Sequence, residues 1–68
     1  MIKETIGKRI KEIRLSKNLS QEKLALISNV DRTYIASVES GKRNISIVNL
    51  EKIIKALDVN FEKFFEGL

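Results

Sequence analysis

The chain has 68 residues, enough for one hydrophobic core and one domain. It has no cysteine and no histidine, which excludes disulfide, zinc-finger and thiolate frameworks and leaves association with a second copy as the reinforcement for so small a core. The formal charge is +4 and residues 1–44 hold ten of the thirteen basic groups against five acidic ones, whereas residues 45–68 carry three basic and four acidic groups, so a polyanionic partner is expected to face the first two-thirds.

Ile2, Ile6, Ile10 and Ile13 recur at helical spacing, with Lys3, Lys8, Arg9, Lys11 and Glu12 on the other faces. This predicts a first helix whose charged residues form a solvated face. Lys17-Asn18 closes it, because asparagine tolerates the left-handed conformation.

Four further helices are announced by one device, an apolar residue before a polar N-cap with a second apolar residue five positions on. The sets are Leu19/Ser20/Leu24, Val30/Asp31/Ile35, Ile45/Ser46/Leu50 and Val59/Asn60/Phe64. They predict helices over 21–28, 32–40, 47–57 and 61–66, and no strand. The fold class is therefore all-α. The expected core is Ile6, Ile10, Ile13, Leu19, Leu24, Ala25, Val30, Ile35, Val38, Ile47, Leu50, Ile53, Ile54 and Leu57. No segment is long and apolar enough to cross a bilayer, and Met1-Ile2-Lys3-Glu4 lacks the apolar stretch of a signal peptide. A soluble cytoplasmic protein with no membrane partner is expected.

Ser28-Asn29-Val30-Asp31 is too short a connection for comfortable antiparallel helices, so the second and third helices should cross as a helix-turn-helix. Asn29 suits the left-handed turn position, and Ala25 and Ala36 permit close approach. With Ile35 and Val38 turned inward, the third helix leaves Arg32, Thr33, Tyr34 and Ser37 outward. Arginine can fork onto guanine, and threonine can bond a base edge or touch a thymine methyl. Arg32, Thr33 and Ser37 are the candidate base readers; Lys42, Arg43 and Asn44 are placed to grip flanking phosphates, with Tyr34 and Gln21 as backbone or supporting contacts.

Ser20-Gln21-Glu22-Lys23-Leu24-Ala25 followed by Asp31-Arg32-Thr33-Tyr34-Ile35-Ala36-Ser37-Val38-Glu39-Ser40-Gly41 resembles the phage-repressor-like (Cro/C1, XRE) helix-turn-helix family. The resemblance implies a compact five-helix lambda-repressor-like domain that binds pseudo-palindromic double-stranded DNA as a homodimer with its third helix as reader. Arg32-Thr33-Tyr34-Ile35, Gly41-Lys42-Arg43-Asn44-Ile45-Ser46 and Phe64-Phe65 also resemble the controller proteins of restriction-modification systems. That narrower resemblance implies control of the protein's own promoter and of neighbouring restriction-modification genes. It carries base reading to Arg32 and Thr33, and contact with the backbone or a deformed central step to Tyr34, Arg43 and Asn44. The family likewise implies an ion pair between Arg14 and Glu39. Two positions depart from the family pattern: Asn29 replaces the common turn glycine, and Ala36 stands where small polar residues are frequent.

Leu57, Val59, Phe61, Phe64 and Phe65 offer more apolar surface than one short helix can cover, which predicts a symmetric dimer contact in the C-terminal part of the single 1–68 domain. RNA polymerase is a further candidate partner, reached through an exposed acidic residue such as Glu22. A competing reading is an antitoxin-like module whose main partner is a protein covering the Phe61–Leu68 face. Without histidine, cysteine, a glycine-rich phosphate loop or clustered carboxylates, the chain offers no acid-base pair, metal site or cofactor site, so no enzyme is expected.

Overall fold

A computed structural model describes all 68 residues as five helices: α1 (Ile2–Ser16), α2 (Gln21–Ser28), α3 (Arg32–Glu39), α4 (Ile47–Ala56) and α5 (Phe61–Phe65). Each of the last four begins at a side-chain cap. Ser20 accepts from the Lys23 N–H, Asp31 from Thr33, Ser46 from Asn49 and Asn60 from Lys63, satisfying donors that have no partner within the helix. Three of the connections turn on polar residues in the left-handed region, Asn18 (φ 59°), Asn29 (φ 58°) and Asp58 (φ 60°).

α3 packs on α1 and α2, and α4 packs on α2. Their inward stripes merge into one core of twelve buried residues, which includes Ile6, Ile10, Leu24, Ile35, Val38 and Ile53. α1 and α3 approach so closely that a Cβ at position 7 would collide with the Val38 carbonyl oxygen, so only glycine fits there. At the far end of α3, Gly41 (φ 79°) donates to the Val38 carbonyl and Lys42 donates to that of Ser37, both at 3.0 Å. That left-handed stop turns the chain sharply and aims the following loop.

Three positions differ from expectation. Ile47 is 73% exposed although it continues the stripe of Leu50, Ile53 and Ile54. It is the first residue of α4, and helix side chains lean toward the N-terminus, so it overhangs the end of the packed layer. Phe64, assigned from sequence to a dimer face, is instead 0% exposed within the protomer's own core, and Leu57, expected both in the core and on that face, is 1% exposed and belongs to the core alone. α5 reaches the core through Phe64 alone, because a helix this short turns only one of its three phenylalanines inward.

Candidate DNA interface

The first turn of α3 is built to project side chains from a fixed base. Ile35 and Val38 lock the helix into the core, and Asp31 closes its N-terminus through a 2.7 Å bond from the Thr33 N–H. Arg32 and Thr33 are exposed on that turn. Ser37, one turn along, is half-buried and donates its hydroxyl to the Tyr34 carbonyl at 3.0 Å, which leaves its oxygen lone pairs to accept from a base or phosphate group.

The other end of α3 is held by charge. Arg14, buried in α1, forks onto Glu39: Nε donates to Oε2 at 2.8 Å and Nη2 to Oε1 at 3.0 Å, while Nη1 donates to the Leu19 carbonyl at 2.8 Å. The side chains are only 8% and 3% exposed. This is the pairing implied by the family resemblance. Gln21, at the start of α2, adds an Nε2 bond to Glu39 Oε1 at 3.1 Å. One of its two amide N–H donors is therefore turned inward, joining α2 to α3, and the second N–H and the carbonyl oxygen remain uncommitted.

Tyr34 does more than flank Arg32 and Thr33. Its hydroxyl oxygen accepts from the Ser46 backbone N–H at 3.1 Å, which links α3 to the cap of α4. The Arg43 guanidinium lies over its ring, 5.1 Å from the centroid, an arrangement that favours one orientation of a long flexible cation. Burial alone would raise the phenol pKa. Hydrogen bonding from the Asn49 side chain and from Ser46, with the positive charge of Arg43, outweighs that and brings it below 10.0. Nothing in the local sequence signals Tyr34's partners, which lie on a later element.

Lys42, Arg43 and Asn44 are all exposed in the loop that leaves Gly41. The structure thus brings Arg32, Thr33, Tyr34, Ser37 and this loop into one region around α3, whereas Gln21 is tied to the Glu39 end. Val59 is half-buried, and Phe61 and Phe65 are exposed on α5. No group of acidic residues is arranged to hold a metal ion.

A short left-handed turn between crossed helices, exposed Arg32 and Thr33 on the second of them and a cationic loop after it define a helix-turn-helix protein of the DNA-binding class. A helix-turn-helix family profile matches residues 10–64, and the chain belongs to that family, in its Cro/C1-type branch. It is 52% identical over 59 residues to the control protein C.BamHI of Bacillus amyloliquefaciens, covering 85% of this chain and 73% of the relative. It is 44% identical over 68 residues to the control protein C.MunI of a Mycoplasma species, covering 98% and 92%. Among solved structures, the restriction-modification controller protein C.AhdI from Aeromonas hydrophila superposes with a TM-score of 0.87 at 44% identity, over 93% of this chain and 96% of that one. The controller protein C.Esp1396I, solved as a tetramer on its natural 35 base-pair operator, superposes at 0.93 with 45% identity, over 97% and 87%.

Proposed function

We propose that this protein is a homodimeric transcriptional regulator that recognises a pseudo-palindromic operator and controls its own promoter together with neighbouring restriction-modification genes. The observation that carries the reading is the projection of Arg32 and Thr33 from a turn anchored at both ends, beside a loop of two cations and an asparagine. The anchored turn enters the major groove, where Arg32, Thr33 and Ser37 read base edges. Lys42, Arg43 and Asn44 hold the phosphates, with Tyr34 orienting Arg43 and the Gln21 carbonyl oxygen left to accept from a neighbouring donor. No cofactor or catalytic step is required. With the relatives' regulation of transcription carried over, the protein acts in the cytoplasm, where its DNA lies. No helix is long and apolar enough to cross a membrane.

The second protomer meets α5 through Phe61 and Phe65, with Val59 at the margin. Residues 45–68 carry three basic and four acidic groups, so this end can meet its own copy without the like-charge repulsion that the basic two-thirds would impose. Glu22 on α2 is exposed and offers a contact to RNA polymerase.

Selection of bound duplexes from a random library at near-physiological salt, followed by sequencing, tests the reading. The expected result is a two-fold related consensus with half-sites about 10 base pairs apart. Salt-sensitive binding without a consensus would overturn it and favour a protein partner for the α5 face.

A further inference from the structure

Arg9 belongs to the charged side of α1, yet it does not reach freely into solvent. Its Nε donates to the Phe64 carbonyl oxygen at 2.7 Å and its Nη2 to that of Lys63 at 2.9 Å. Glu12, one turn along α1, lies 4.0 Å from the remaining Nη1. Both acceptors belong to the last turn of α5: the Lys63 carbonyl already accepts from the Glu66 N–H at 3.3 Å and gains Arg9 as a second donor, and the Phe64 carbonyl, at the helix end, takes Arg9 Nε. A guanidinium is suited to this task, because its planar fork can hold two oxygens at once.

We propose that Arg9 is a positioning residue for the dimer surface: it fixes the rotation of α5 about its own axis and thereby aims Phe61 and Phe65 at the second protomer. The inference rests on the reading of α5 as the dimer contact. A helix of five residues has almost no stability of its own and takes its orientation from its attachments. Phe64, wholly buried, is one attachment and acts as a pivot. The two-bond clasp from Arg9 is a second, gripping the backbone of Lys63 and Phe64 from α1, and a backbone clasp removes the rotation that a side-chain pivot alone leaves.

The direction thus fixed matters because Phe61 and Phe65 lie one turn apart on the same face, 40% and 39% exposed. Phe65 stands edge-on to Phe64, with ring centroids 5.0 Å apart. It also forms one wall of an apolar cleft of about 260 Å³ shared with Ile2, Ile6, Ile45 and Leu50. A swing of α5 about Phe64 would withdraw that wall and scatter the face a second copy must match. Because α1 carries Arg9 and also holds α3 through Arg14, one rigid helix sets both the reading helix and the dimer helix. The distance between two reading helices on an operator then follows from α1.

The test compares dimer dissociation constants by sedimentation equilibrium for the wild type, Arg9→Met and the double variant Phe61→Ser/Phe65→Ser, together with circular dichroism and affinity for a duplex carrying one half-site. Methionine keeps an apolar stem and removes both donors. Dimerisation is expected to weaken about tenfold in Arg9→Met, the scale of losing charge-assisted hydrogen bonds, with helical content and half-site affinity unchanged. The double variant is expected to be monomeric. If the double variant is monomeric while Arg9→Met dimerises like the wild type, the clasp fails and the α5 contact stands. If the double variant still dimerises like the wild type, the α5 contact fails and the clasp's role with it. Joint loss of helical content and half-site affinity in Arg9→Met would overturn the proposal by making Arg9 a determinant of the whole fold.

Discussion

The hydroxyl oxygen of Tyr34 accepts a hydrogen bond from the backbone N–H of Ser46 at 3.1 Å, so α3 and the cap of α4 are joined through one phenol. Its partners hold the Tyr34 pKa below 10.0. A tyrosine whose folded pKa is depressed contributes stability that is present above the unfolded value and is lost as pH falls through the folded one. The stability difference between the wild type and Tyr34→Phe is therefore expected to grow in favour of the wild type as pH rises through the alkaline window just below 10.0. Urea midpoints of both proteins across that window check it, and a difference independent of pH would refute the linkage.

Arg14 and Glu39 are nearly inaccessible to solvent, and Gln21 shares the same carboxylate. Removing one partner of such a pair leaves an uncompensated buried charge, at a cost of about 3–5 kcal/mol. For a small domain that is a large fraction of total stability. Arg14→Met is expected to lose most of its helical circular dichroism signal under conditions where the wild type stays folded. Arg14→Met combined with Glu39→Leu should recover much of the loss, because no charge is then stranded.

Arg32 and Arg43 are both exposed cations near α3, but their expected roles separate on DNA. Arg32→Ala should relax preference at one base pair per half-site, costing about 1–3 kcal/mol there. Arg43→Ala should weaken every sequence alike and reduce the slope of log affinity against log salt by about 0.9 for each phosphate it no longer neutralises. Titrating matched and single-mismatch duplexes at several salt concentrations distinguishes them. An unchanged preference in Arg32→Ala would remove that residue from base reading.

Gly7 lies where α1 meets the Val38 carbonyl, and an added Cβ would strike that oxygen. Gly7→Ala is expected to destabilise by about 1–3 kcal/mol through overpacking, despite alanine's better helix propensity. Gly67→Ala, where a Cβ meets nothing within 4 Å, makes the control for the collision, although its φ of 82° adds local strain. Denaturant midpoints compare the two.

The helices are readable in the sequence because their starts are local chemistry. Ser20, Asp31, Ser46 and Asn60 cap helices within three residues of themselves, and Asn18 and Asn29 take the left-handed turns expected of them. Long-range partners are not readable in this way. Arg9 resembles any solvated helix residue until the chain returns 55 positions later to present a carbonyl. Gln21 has the chemistry of a phosphate contact, and only the crossing of α2 over α3 shows its amide bound to Glu39. Periodicity gathers Phe61, Phe64 and Phe65 into one apolar set. Which of the three plugs the core depends on how the last turn of the chain is set against the other helices.

The Arg14–Glu39 pair also governs how the protein answers to ionic strength. Its two charges lie 2.8 Å apart with almost no exposed surface, so counterions cannot reach between them, and dissolved salt screens such a pair far less than it screens open charges. Lys42, Arg43 and Arg32 stand in water and feel salt fully. Rising salt should therefore strip the protein from its duplex while the helices stay assembled. A drop in occupancy then reports release of an intact molecule, ready to bind again on dilution.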